Sequence, residues 1–228
     1  MPANRPAVLA HQRFAADRDN FVGLDLAARF ERIAATNLWG APTSLSGLGS
    51  EDRATAAIRA ELPPLLQCLG VRSLLDAPCG DAGWISLCRL GVDYVGLDIV
   101  PALIEANTRR VASGELAGRF VTADITRDAL PRTDLILCRD CLVHLSFANI
   151  ARAVDGFRAS GASYLLTTTF PEWDRNEDCE DGDWRALNFE KPPFSWPAPR
   201  ELINERCDEG GGWQDKSLGL WRLADLPA

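Results

Sequence analysis

The stretch Leu74-Leu75-Asp76-Ala77-Pro78-Cys79-Gly80-Asp81-Ala82-Gly83-Trp84 restricts the fold more than any other part of the chain. Val71, Leu74 and Leu75 supply the apolar run of a strand buried on both faces. The strand closes on Asp76, and small residues follow. Gly80 and Gly83 carry no Cβ, so backbone N–H groups there can come close to a ligand. The pattern predicts a strand, a tight turn and a helix opening straight after it. That is the first half of a βαβ unit, and open α/β sheets bind their ligands beyond the carboxyl ends of the strands.

A second strand, Asp93-Tyr94-Val95-Gly96-Leu97-Asp98, ends on an acid eighteen residues after Gly80. An acid about 20 residues past such a turn receives ribose hydroxyls in dinucleotide folds. A carboxylate only accepts hydrogen bonds, so it can take both hydroxyls of a diol. Asp98 is therefore expected to hold a ribose. The phosphate fingerprint G-x-G-x-x-G is absent, because Pro78 stands where its first glycine would be. A ligand without phosphates suits this turn better than NAD.

The succession of strand, Asp-x-x-Cys-Gly-x-x-Gly turn, helix, strand and Asp resembles the class I S-adenosylmethionine-dependent methyltransferases, over roughly Arg53 to Leu223. The resemblance implies a Rossmann-like, doubly wound α/β fold. Its sheet would be seven-stranded and mostly parallel, with helices on both faces and N-terminal lid helices. It implies S-adenosylmethionine as cofactor, with Asp76, Ala77, Pro78, Cys79, Gly80, Trp84, Asp98, Ile99 and Arg139 around it. A third strand, Arg119–Asp124, ends on another acid. In the family this position lies beside the adenine, which makes Asp124 and the N–H of Ile125 adenine contacts.

Net charge is −8, and no basic face or stripe of the kind nucleic-acid binders carry is visible. Nucleic acid and anionic membrane are disfavoured as partners, and a neutral small molecule or sugar is favoured. The seven cysteines are scattered. Cys138 and Cys141 have C-x-x-C spacing, but no second pair completes a four-sulfur zinc site. Reduced, mostly buried thiols in the cytosol are expected. No secretory leader and no apolar run of membrane length is seen.

The whole chain reads as one domain, monomeric or homodimeric, with residues 1–20 as a mobile arm. A helix is expected around Leu24–Ile33. The loop Asn37–Ser50 is a linker or a lid over the cofactor; as a lid it brings in Trp39, and Ser46 and Gly47 offer donors to the cofactor's carboxylate. Ser50 is expected to cap a helix that Pro63-Pro64 breaks or kinks. Further along, the patterns predict a helix from Pro101 to about Ala112, a strand Asp134–Cys138 and a helix capped by Ser146. A strand Tyr164–Thr169, a helix around Arg200–Glu205 and a strand Lys216–Leu223 complete the set.

Methyl transfer to an alcohol needs a base for the hydroxyl proton. The chain has two histidines. His11 falls in the arm, whereas His144 follows the fourth strand and is the candidate base; packing or capping at the helix start is its bland alternative. Asp140 can orient the imidazole, contact the acceptor or bind a metal. Glu172 and Asp174 follow the next strand and could join Asp140 around Mg²⁺.

The segment 170–215 reads as a substrate-side insertion. Its acids, carboxamides and tryptophans suit sugar rings and their hydroxyls, and Glu172, Trp173, Asp174, Asn176, Trp184 and Asn188 are the candidate acceptor contacts. With the segments Asn-x-Trp-Gly and Ser-Gly-x-Gly-Ser, the pattern is similar to bacterial O-methyltransferases of sugar and polysaccharide pathways, mannosides among their substrates. Alternatives are methylation of an amine or another small metabolite, an NAD oxidoreductase, and a cofactor-binding protein without turnover.

Overall fold

A computed structural model describes residues 5–227. The strands are β1 (Ser73–Asp76), β2 (Asp93–Asp98), β3 (Arg119–Thr122), β4 (Leu135–Cys138), β5 (Tyr164–Thr169), β6 (Glu201–Asn204) and β7 (Ser217–Arg222). They form one sheet in the order β3-β2-β1-β4-β5-β7-β6. The first five are parallel, and β7 runs antiparallel to both neighbours. The sheet is therefore the mostly parallel, seven-stranded, Rossmann-like one that the resemblance implies.

Adjacent residues of a strand point to opposite faces, and the core divides accordingly. Leu74, Leu135, Leu137 and Leu166 pack on one face with Ile58, Leu62 and Leu66 of helix α3 (Asp52–Cys68). Leu75, Ile136 and Leu165 pack on the other with Ile150, Ala153, Val154 and Phe157 of helix α5 (Phe147–Ala159). Helix α4 (Pro101–Ala112) lies against β3 and β2. Ser146 caps α5 by accepting from the Asn149 N–H.

The molecule departs from the sequence expectations at several points. Among the described residues no α-helix follows the glycine turn; a single 3₁₀ turn, Ile85–Leu87, stands there. Ala82 adopts a left-handed φ of 49°, which a right-handed helix cannot contain, and Trp84 and Ile85 are buried just before and within the 3₁₀ turn instead. The third strand stops at Thr122, short of Asp124.

Pro63 and Pro64 do not break α3, which is continuous through them, because the buried stripe Ile58, Leu62 and Leu66 holds it on the sheet. Ser50 is not its cap. Glu51 occupies that position, and its carboxylate takes the N–H and hydroxyl of Thr43 at 2.9 and 2.6 Å. Residues 201–204 form an edge strand rather than a helix, since the antiparallel register with β7 satisfies their backbone groups.

The arm is also ordered within the described residues, and its residues 1–4 lie outside them. Helix α1 (Leu9–Asp17) and helix α2 (Leu26–Ala35) share a small core of Phe14, Phe21, Ile33 and Leu38. No helix among the described residues is long and apolar enough to cross a membrane.

Candidate active site

The carboxyl ends of β1, β2 and β4 and the loop after β3 open into a cavity of about 920 Å³, its mouth included. Asp76, Pro78, Cys79, Gly80, Trp84, Asp98, Ile99, Asp124, Ile125 and Arg139 line it, and Leu26, Phe30 and Ile33 of α2 cover it. Ala77 lies behind that wall, fully buried, with its N–H on the Leu137 carbonyl.

The three acids differ in their partners. Asp98 accepts the N–H of Gly80 and of Val100, each at 2.9 Å. Burial pushes its carboxyl up to about 6, against the pull of those N–H groups. Asp76 accepts the Tyr94 hydroxyl at 2.7 Å, and burial drives it up to about 7. Asp124 is buried and takes the N–H and hydroxyl of Thr126 at 2.8 and 2.6 Å.

The loop 37–50 lies directly on the glycine turn. Ser44 Oγ and the Leu45 N–H donate to Asp81 Oδ2 at 2.7 and 2.9 Å, and the Asp81 N–H donates to Ser46 Oγ at 3.1 Å. Gly80 has φ +55°, and a Cβ there would stand 2.0 Å from Ser46 Oγ. The turn needs glycine both for its backbone conformation and for the close approach of this loop.

A second cavity of about 550 Å³, its mouth included, adjoins the first, and Trp39, Ser46, Asp140 and His144 line both. Phe170, Trp184 and Trp213 give the second cavity an aromatic wall, with Gly47, Glu209 and Lys216 also on its lining. Val8 and Ala10 of the N-terminal segment line it as well.

His144 is buried in the 3₁₀ turn that follows β4. Its Nδ1 is 2.7 Å from the main-chain oxygen of Asp183. A carbonyl only accepts, so Nδ1 carries the proton and Nε2 keeps the lone pair. Burial lowers the imidazole to about 4, although Asp183 and Asp140 pull the other way. The ring is stacked on Trp39 with centroids 4.6 Å apart. Trp39 Nε1 is buried with no partner among the described residues, an unusual state for an indole N–H unless a ligand or a water supplies the acceptor.

Asp140 does not orient the imidazole; it belongs to a buried ion cluster. Lys216 Nζ lies 2.6 Å from Asp140 Oδ2 and 3.2 Å from Glu205 Oε2. Arg139 grips Glu205 with two hydrogen bonds, at 2.8 and 3.2 Å, and gives a third to the Gly49 carbonyl at 2.7 Å. Burial alone would raise the Asp140 carboxyl, but Lys216 and Arg139 hold it well below the usual carboxylate range.

The remaining candidates lie elsewhere. Glu172 is on the surface with 80% of its side chain exposed, and Asp174 is exposed too. They do not gather with Asp140, and the described residues contain no group of three potential metal ligands. Asn176 and Asn188 clasp their own loop: Asn176 donates to the carbonyls of Asn188 and Pro192, and Asn188 to those of Pro171 and Trp173. Trp173 is half-buried beside Trp213 and Arg5.

Sequence reasoning missed Tyr94, Asp183, Glu205, Glu209, Trp213 and Lys216. For Lys216 a signal existed, a lone cation leading into the apolar run of β7. Antiparallel pairing of Ser217 with Thr169 carries it to the ligand end of β5.

No protein-family model matches the chain, and no curated protein matches it. Solved structures do. The methyltransferase domain of bacterial CtHen1-C aligns with a TM-score of 0.53 at 15% identity, over 77% of this chain and 100% of that one. The CtHen1-CN methyltransferase domain gives 0.52 and 13%, over 75% and 97%. The PH0226 protein from Pyrococcus horikoshii OT3 gives 0.42 and 21%, over 53% of this chain, and the match spans only 61% of that protein's length. The two Hen1 domains show that this chain has the fold of methyltransferase domains.

Proposed function

We propose that this chain is an S-adenosylmethionine-dependent methyltransferase whose acceptor is a hydroxyl of a sugar or oligosaccharide. The observation that carries the reading is the position of His144. Its Nδ1 side is taken up by Asp183, which leaves Nε2 as the accepting nitrogen, on a ring that borders two adjoining cavities.

The residues fit the cofactor. The first cavity presents buried acids to a ribose and an adenine amine, a close-packed glycine turn, and the unpartnered indole N–H of Trp39. Asp98 accepts the N–H of Gly80 on one oxygen and of Val100 on the other, with the Ile99 N–H also drawing on it, and a carboxylate has about four acceptor directions to offer. Asp76, Asp98, Asp124, Arg139 and Trp39 are the side chains assigned to it. When bound, the cofactor supplies a methyl group on a sulfonium.

The protein's own part is to place the acceptor, exclude water and take a proton. Trp184, Trp213 and Phe170 offer aromatic faces to a ring, and Glu209 and Lys216 offer partners to its hydroxyls. His144 Nε2 takes the hydroxyl proton as the oxygen attacks. A basicity of about 4 suffices, because an oxygen that has gained a methyl group while keeping its proton is a far stronger acid than imidazolium.

An amine acceptor is the second reading. It is favoured by the two acids, Asp140 and Glu209, that face the second cavity against one lysine. Its mark is methyl transfer that survives His144→Ala. Methyl-labelled S-adenosylmethionine, incubated with the protein and a panel of sugars and amines, tests both readings. The expected result is labelled sugar, S-adenosylhomocysteine release and no binding of NADH. Label on amines alone would overturn the sugar reading, and cofactor binding with no transfer to any acceptor would overturn the enzyme reading.

A further inference from the structure

His11 lies on α1, and its Nδ1 is 2.8 Å from Asp183 Oδ1. A carboxylate only accepts, so His11 Nδ1 carries the proton of this bond. The same Asp183 receives the Nδ1–H of His144 on its main-chain oxygen at 2.7 Å. Two imidazoles are thus attached to one residue, one at its side chain and one at its carbonyl.

The turn that holds Asp183 is joined to the His144 segment on several sides. The Gly182 N–H donates to the His144 carbonyl at 2.7 Å. The Ser146 N–H and the Asn149 carboxamide donate to the Asp181 carboxylate at 2.7 and 2.8 Å. On its outer side the turn is held by Arg29 on the Asp181 carbonyl, Arg18 on Glu180 and His11 on Asp183. Of these three, His11 alone grips the residue that holds the base.

His11 is also part of the segment that roofs the second cavity. Val8 and Ala10 line that cavity, the Pro6 carbonyl takes the Trp213 Nε1–H at 3.2 Å, and Arg5 pairs with Asp215 at 2.6 Å. Lifting the segment away from the acceptor cavity would break the His11–Asp183 bond as well.

We propose that His11 is a positioning residue. Through Asp183 it fixes the tautomer and heading of the His144 imidazole, so that the base is set only when the N-terminal segment covers the acceptor cavity. The physical ground is the steep angular dependence of a hydrogen bond. A turn of the Asp183 peptide redirects its carbonyl, frees Nδ1 and lets the proton pass to Nε2, where it blocks the lone pair. The turnover part of this inference rests on His144 being the base; the tautomer part does not.

The chain's two histidines make the test direct, since His11→Ala leaves His144 as the one imidazole. Long-range ¹⁵N–¹H spectra report its tautomer and the exchange rate of its Nδ1 proton. In the wild type and in His11→Gln, whose amide can donate to the same carboxylate, the Nδ1–H form with slow exchange is expected. In His11→Ala, exchange is expected to be at least about 10-fold faster, with the Nε2–H form present. Turnover on the best acceptor of the panel falls by about 10- to 100-fold, with unchanged KM for the cofactor. Asp183→Ala, which also frees the Trp184 N–H, produces changes at least as large, and adding His11→Ala to it adds nothing further. An unchanged tautomer and exchange rate in His11→Ala, or fully additive effects, would overturn the proposal. The tautomer change in a protein that transfers no methyl group would support it while removing His144 as base.

Discussion

The Nδ1–H of His144 donates to the main-chain carbonyl of Asp183 across 2.7 Å. A backbone carbonyl carries no net charge and cannot be titrated, so it fixes the tautomer without stabilising imidazolium as a carboxylate would. Burial, which lowers the imidazole to about 4 against the pull of that carbonyl, keeps the ring neutral, with its lone pair on Nε2, throughout the physiological pH range.

Replacing that ring removes the proton acceptor and leaves the cofactor cavity's acids in place. His144→Ala is expected to lower turnover by about 10²–10⁴ and to leave S-adenosylhomocysteine affinity within about twofold. Single-turnover kinetics paired with calorimetry checks both halves.

Asp98 holds the glycine turn as well as the proposed ribose. Asp98→Ala leaves the N–H groups of Gly80 and Val100 without their acceptor. Cofactor binding should weaken by about 1.5–3 kcal/mol, and thermal stability should fall with it. Unchanged affinity in calorimetry would remove Asp98 from the ribose.

The buried acids make cofactor binding depend on pH. Asp76 is raised to about 7 and Asp98 to about 6, both by burial. S-adenosylmethionine carries a net positive charge, so it binds the ionised carboxylates more tightly. Its affinity is expected to be flat above pH 8 and to fall as the pH drops below 7, approaching tenfold per unit for each proton that binding must expel.

Folding of the free protein has the opposite dependence on these two groups. Their folded pKa values exceed the unfolded ones, so their contribution is fully present below about pH 4 and is lost as pH rises through 6 and 7. His144, lowered to about 4, opposes this below pH 6.5, where the unfolded chain takes up its proton first. Above 6.5 Asp76 acts alone, and free-protein stability should decline from pH 6.5 to 7.5. Urea titrations across that interval check the sign.

The ion cluster makes a stability prediction. Glu205 faces both Arg139 and Lys216, with 2% of its side chain exposed. Glu205→Ala buries two cations against Asp140 alone, and unfolding should become easier by about 3–5 kcal/mol. Denaturant unfolding measures this directly.

Gly80→Ala should detach the loop 37–50. The added methyl meets Ser46 Oγ at 2.0 Å and the backbone is left-handed. Weaker cofactor binding is expected, with partial recovery when Ser46→Gly restores the space.

The fold was legible wherever local pattern and neighbours agreed. Leu74-Leu75-Asp76 and Leu97-Asp98 read as strand ends because burial on both faces leaves apolar runs that only the terminal acid interrupts. The helix expected after Gly83 failed because a left-handed Ala82 leaves no mark in composition. Residues 201–204 read as helix because their pairing with 217–220 is invisible to a local window.

Asp76, Asp98 and His144 line the candidate cavity, and their places at or just after the ends of β1, β2 and β4 were legible. Lys216 and Glu205 were not, since only the antiparallel return of β7 and β6 brings them to Asp140. Asn176 and Asn188 misled because carboxamides that clasp a loop have the same composition as carboxamides that hold a sugar.

The most direct measurement is diffraction from crystals grown with S-adenosylhomocysteine. An adenosyl group is expected across the strand ends, its ribose on Asp98 and its base beside Asp124. Density for the nucleoside elsewhere, or that cavity filled by a different class of ligand, would contradict this placement.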